Sequence, residues 1–165
     1  MIKDKLIALA LDEVGYTEGR RNDNKFAEIA GHANHQPWCM TYLVAMFKAA
    51  GIGKAIPNSA SVEFVERWAL DNKRIRPTLK AKKGDLIVMD FDNSGKGQHI
   101  GLAIHKLNVE RKVIHTIEGN TGNGSETNGD GVALKTRSTT IIRCVIRPKY
   151  PKQSGAETEA TNGKT

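Results

Sequence analysis

An α+β domain, with helices first and an antiparallel sheet of about five strands after them, follows from three observations on the 165-residue sequence. Apolar residues recur at offsets of three and four up to Leu70. From Asp85 to Arg147 the chain instead consists of β-branched and aromatic runs separated by glycine, asparagine or lysine turns. Apolar types make up 39% of the residues, enough for one buried core without disulfides or metal. Helices kept apart from strands distinguish α+β from an alternating α/β architecture.

The elements follow in order. Ile2, Leu6, Leu9 and Ala10, interleaved with Lys3, Asp4, Lys5 and Asp12, predict an amphipathic helix over 2–14 that packs on the outside of the core. Thr17 to Asn24 reads as a loop, Lys25 to Ala30 as a short helix, and His32 to Pro37 as a second loop. Cys39, Tyr42, Leu43, Met46, Phe47 and Ala50 share one helical stripe that Gly51 ends, so Cys39 falls in the first turn of the most apolar helix. Ser59 or Ser61 caps a further helix through Val62, Val65 and Trp68 to Leu70. Five strands, Asp85 to Phe91, His99 to His105, Val113 to Glu118, Gly131 to Arg137 and Thr140 to Arg147, then read as a meander. The folded domain is expected over 1–150. Residues 151–165 hold only small, polar or charged types, one aside a proline, and are expected to form a disordered tail or linker stub.

Lysine and arginine outnumber aspartate and glutamate by 25 to 18, a net charge of +7 that favours an anionic partner. The excess is uneven: residues 1–37 carry five basic and six acidic side chains, whereas 38–150 carry eighteen and ten. Lys73, Arg74, Arg76, Lys80, Lys82 and Lys83 form a basic run without one acid. No aromatic interrupts it, which argues against a nucleic-acid-binding protein, the reading the charge alone would suggest. Two cysteines, Cys39 and Cys144, are too few for a disulfide scaffold, a zinc ribbon or the usual four-cysteine iron–sulfur set. Leu6 to Leu11 is shorter than a secretory core and far short of the roughly 20 residues that span a bilayer, so no export signal or membrane anchor is expected.

Cys39 draws attention because backbone N–H groups and the helix dipole stabilise a thiolate at a helix start. Cys144, inside Ile141 to Ile146, reads as a buried, inert thiol. His99 shares a strand face with the small residues Gly101 and Ala103, a face that a helix can approach closely, and the helix starting at Cys39 is the natural candidate. On the next strand Thr116, Glu118 and Asn120 share a face, placing two polar groups beside the histidine strand. Either a carboxylate or an amide oxygen can orient an imidazole that activates a thiol. His105, six residues beyond His99, lies about 20 Å away along the strand and belongs to no common site.

Pro37-Trp38-Cys39, Gly84-Asp85-Leu86-Ile87, Gln98-His99-Ile100-Gly101, Ile117-Glu118-Gly119-Asn120-Thr121 and Asn128-Gly129-Asp130-Gly131-Val132 before an arginine occur in that order. Over residues 1–148 this series resembles the CHAP domain, the cysteine, histidine-dependent amidohydrolase/peptidase. The resemblance implies a papain-like, NlpC/P60-type α+β fold and cleavage of an amide bond in bacterial peptidoglycan, as in phage endolysins and host autolysins. It implies Cys39 as nucleophile, His99 as general base and acid, and Glu118 and Asn120 as supporting residues. Trp38 and Gln98, beside the first two, are expected to contact substrate. Of the two supporting residues, Glu118 is assigned to the imidazole because a charge-assisted hydrogen bond is roughly twice as strong as a neutral one.

The resulting expectation is a monomeric peptidoglycan hydrolase, made in a host cytoplasm without a signal peptide and acting at the wall as a phage endolysin. A secreted antibacterial toxin and an amidase on a non-wall amide share its chemistry. No cofactor is called for. Some phage CHAP domains carry an aspartate-rich calcium loop before the cysteine, but Glu18 to Asn24 includes Arg20 and Arg21 among few carboxylates, which disfavours that ion. His32, His35 and Cys39 supply only three ligands for a structural zinc.

Overall fold

The computed structural model describes residues 1–122 and 124–152; most of the expected tail lies outside them. Four α-helices, α1 (Ile2–Asp12), α2 (Phe26–Ala30), α3 (Cys39–Ala49) and α4 (Val62–Asp71), precede the main strands. Six strands follow from β1 (Ile75–Arg76) through β2 (Leu86–Met89), β3 (His99–Ala103), β4 (Val113–Thr121) and β5 (Gly131–Ser138) to β6 (Ile142–Ile146). The α+β class and antiparallel pairing match the sequence expectation. The sixth strand is the two-residue β1, too short for any periodicity to reveal.

Local chemistry explains the helix limits. Asn24 Oδ1 accepts from the Ala27 N–H at 3.0 Å at the start of α2, and Ser61, of the two serines considered, caps α4 by accepting from the Phe64 N–H at 3.1 Å. Gly51 takes the left-handed φ of +78° that turns the chain after α3. All nine residues from Cys39 to Phe47 are buried, so α3 is a central helix rather than one with a single apolar stripe. It shares one core with Leu6 and Ala10 of α1, Phe26 and Ala30 of α2, Val65 and Ala69 of α4, and Leu86, Val88, Ile100, Leu102 and Ile117 of the sheet. Among the described residues no helix is long and apolar enough to cross a membrane.

The sheet is not the simple meander expected from strand order. Its order is β1-β6-β2-β3-β4-β5, so only β2 to β5 follow one another, and β6 returns to pair with β2 on the far side. In a flat sheet β5 and β6 would be four strand spacings apart, about 19 Å. Yet only Thr139–Ile141 joins them, and four Cα steps reach at most about 14 Å. The sheet therefore curls. A second apolar cluster, containing Ile87, Met89, Ala103, Ile114 and Val145, fills the concave side without any helical residue.

Candidate active site

The curl decides which face carries the polar residues. The apolar residues of α3 pack against Ile100, Leu102 and Ile117 on the convex face, not against His99, Gly101 and Ala103 as the small side chains suggested. The close approach to α3 is made by Gly119, where a Cβ would lie 2.6 Å from Tyr42 Cβ and 2.8 Å from Trp38 Cζ3. Gly101 makes room for something else. A Cβ there would lie 2.6 Å from Glu118 Cγ, so the glycine leaves space for the carboxylate beside the histidine.

His99 and Glu118 are both fully buried, and His99 Nε2 lies 2.9 Å from Glu118 Oε2. His99 Nδ1 is buried with no hydrogen-bond partner among the described residues, and the Cys39 thiol at the start of α3 acts on the same ring. Burial by itself lowers the imidazole pKa, but Cys39 and Glu118 together outweigh it and raise it to about 9. Burial likewise raises Glu118, and there Arg137 and His99 prevail, holding the carboxyl down to about 2. No side chain caps α3, so its first-turn N–H groups are not satisfied from that source. A thiol, an imidazole and a carboxylate so arranged can transfer a proton from sulfur to nitrogen and hold the charge that results.

Arg137 is the arginine that follows Val132 in the CHAP-like series, where it was given no role. Its Nε donates to Glu118 Oε1 at 2.9 Å and its Nη2 to Glu118 Oε2 at 2.6 Å, while Nη1 pairs with Glu126. Thr116 adds a hydroxyl donor to Oε1 at 2.6 Å, and the guanidinium lies over the Phe91 ring at 5.2 Å. Its place opposite buried Ile114 on β5, where a solvated charge would not be expected, is what the structure adds.

Asn120 does not join the histidine. The β4–β5 register shifts between Glu118 and Thr121, and Asn120 takes a φ of +55°, which breaks the alternation that placed Thr116, Glu118 and Asn120 on one face. Its Oδ1 accepts from the Trp38 N–H at 3.0 Å and its Nδ2 donates to Gly129 O at 2.7 Å, so it ties the residue before Cys39 to the segment leading into β5.

Trp38 has no exposed surface. It stacks on Phe26, meets Tyr16 edge-on and donates its indole N–H to Glu18, so the expected substrate contact is replaced by a packing role. Gln98 is half-buried, and its Oε1 accepts from the Phe91 N–H at 2.7 Å, bracing the turn into β3. His105 meets His115 instead, with ring centroids 6.2 Å apart.

No protein-family model matches the chain, and no curated protein matches it in sequence. Among solved structures, the crystal structure of a wild-type endolysin, LysIME-EF1, aligns with it at a TM-score of 0.56 and 16% sequence identity. The alignment covers 90% of this chain and 64% of that one, so the chain spans less than two thirds of the endolysin's length. The likeness is one of fold, helices with an antiparallel sheet.

The residues weighed as metal ligands are engaged elsewhere. His32 bonds Thr41 and Asn58, His35 bonds the Arg21 carbonyl, Asp23 accepts from Asn34, and Glu18 accepts from Trp38. Among the described residues no three His, Cys, Asp or Glu gather as a metal site.

The two thiols differ in a way that can be measured. Cys144 is more exposed than expected and lines a cavity of about 640 Å³ with Glu66, Leu70, Ile75 and Arg143. Burial, and then Glu66, push its pKa to about 12, leaving almost no thiolate at neutral pH. Cys39 is 5% exposed but sits beside His99. Iodoacetamide at pH 7 is expected to alkylate Cys39 first, read by peptide mass spectrometry; faster labelling of the more open Cys144 would show that access, not ionisation, controls reactivity.

Proposed function

We propose that this protein is a CHAP-type cysteine amidohydrolase of the papain-like, NlpC/P60 kind that cleaves an amide bond of bacterial peptidoglycan. The observation that carries the reading is the buried His99–Glu118 hydrogen bond of 2.9 Å beside a cysteine at the uncapped start of the central helix. The likeness in fold to an endolysin supports the substrate class. The net charge of +7 supports it further, since the wall is an anionic surface. A phage lysin and a secreted antibacterial toxin both use this chemistry, and the lysin is the reading favoured here.

In the proposed reaction the Cys39 proton passes to His99 and the thiolate attacks the amide carbonyl carbon. The oxyanion that forms takes a hydrogen bond from the Cys39 N–H at the helix start. The C–N bond breaks as the imidazolium gives its proton to the leaving amine, which leaves a Cys39 thioester. Water, deprotonated by His99, attacks the thioester carbonyl, releasing the carboxylate product and restoring the thiol. Glu118 holds the imidazole in orientation and favours its charged form throughout.

Incubating the protein with purified peptidoglycan and identifying new amine and carboxyl termini by mass spectrometry tests this directly. Equal numbers of new amine and carboxyl ends at one bond type are expected. Intact peptidoglycan alongside cleavage of another amide would assign the chemistry to a different substrate, and no cleavage of either would end the reading.

A further inference from the structure

Glu118 is the most heavily bonded side chain of the site, and most of its bonds are not to His99. Its Oε1 accepts from Thr116 and Arg137, and its Oε2 accepts from His99 and Arg137. The groups facing it are therefore His99 from β3, Thr116 from β4 itself and Arg137 from β5. Glu126 touches the far end of Arg137, and Cys39 acts through His99. A carboxylate with no solvent exposure carries a large desolvation penalty, so its ionised state depends on these partners. Arg137 supplies two of the four bonds in the bidentate geometry that fixes both position and plane of a carboxylate.

We infer that Arg137 is a positioning residue for the proposed reaction, clamping Glu118 ionised and in plane so that one oxygen remains directed at His99. This rests on the reading of His99 and Glu118 given above. The clamp reaches from the end of β5 along the concave face to a carboxylate on the neighbouring strand, and Glu126 steadies its outer end. The opposite charge of Arg137 also tempers the pull of Glu118 on the imidazolium, leaving His99 free to release its proton to a leaving amine.

The test uses the full chain carrying Cys144→Ala, with Arg137→Gln and Arg137→Lys. In the parent, the Glu118 carboxyl followed by ¹³C NMR should titrate near 2. In Arg137→Gln burial is opposed by His99 without the guanidinium, and the titration should rise by at least about one pH unit, a tenfold change in equilibrium. Arg137→Lys keeps the charge without the fork. It should recover most of the titration shift yet keep a kcat on peptidoglycan lowered by about tenfold or more at unchanged KM.

A folded Arg137→Gln whose carboxyl titrates as in the parent overturns the inference. Should that variant not fold, Arg137→Lys decides: parental kcat overturns the inference and a lowered kcat at unchanged KM supports it. An unreactive Cys39 in the parent would defeat the catalytic reading instead, and the carboxyl titration would still judge the clamp.

Discussion

Cys39→Ala is expected to abolish peptidoglycan hydrolysis while leaving the fold in place. The variant removes one sulfur atom from the end of α3, whose remaining buried residues still pack in the main core, so the stability cost should be about 1 kcal/mol. Without a nucleophile no thioester forms, and the rate should fall by about 10⁴-fold or more, to what binding and the oxyanion donors alone sustain. Cys39→Ser should fare little better, because a hydroxyl stays protonated where a thiol ionises. Circular dichroism checks the fold and release of soluble fragments checks the activity. A Cys39→Ala protein that still cleaves at more than a hundredth of the parental rate would mean that the thiol is a bystander.

The second large effect is expected for Glu118→Gln. The amide matches the carboxylate in shape and retains an acceptor, but it loses the charge that stabilises imidazolium. A fall in kcat of about 10²- to 10⁴-fold is expected, the range of a lost general acid–base contribution. The pH profile carries the sign. In the parent His99 holds the proton it takes from Cys39 up to about 9, so the imidazolium needed for amine departure is present below that pH and is lost as pH rises through it. Removing one of the two groups that raise its pKa lowers the alkaline limb of kcat toward neutrality. Asn120→Ala removes an acceptor from the Trp38 N–H rather than from His99, so the alkaline limb should stay where it is. An unmoved limb in Glu118→Gln, or a moved one in Asn120→Ala, would exchange their assignments.

Much of this molecule was legible residue by residue. Helices over Ile2–Asp12, Phe26–Ala30, Cys39–Ala49 and Val62–Asp71, and the five longer strands, declare themselves because periodicity, caps and turn glycines act within a few residues of chain. Cys39 at a helix start is local in the same sense. Choosing Glu118 over Asn120 as the partner of His99 needed only the greater strength of a charged acceptor, and the 2.9 Å contact lies with Glu118. Tertiary structure alone decided the rest. The return of β6 to β2 depends on a sheet that curls, and that curl puts His99 and Glu118 on the concave face while α3 covers the other. A register shift beyond Glu118 turned Asn120 away, and one such slip reverses every inference drawn from alternation. Trp38 was buried by Phe26 and Tyr16, twelve and twenty-two residues earlier in the chain. Arg137, nineteen residues after Glu118, became its partner only when β4 and β5 paired. Such contacts arise from chain segments distant in sequence, whose meeting depends on closing loops and burying surface together, and no local pattern records it.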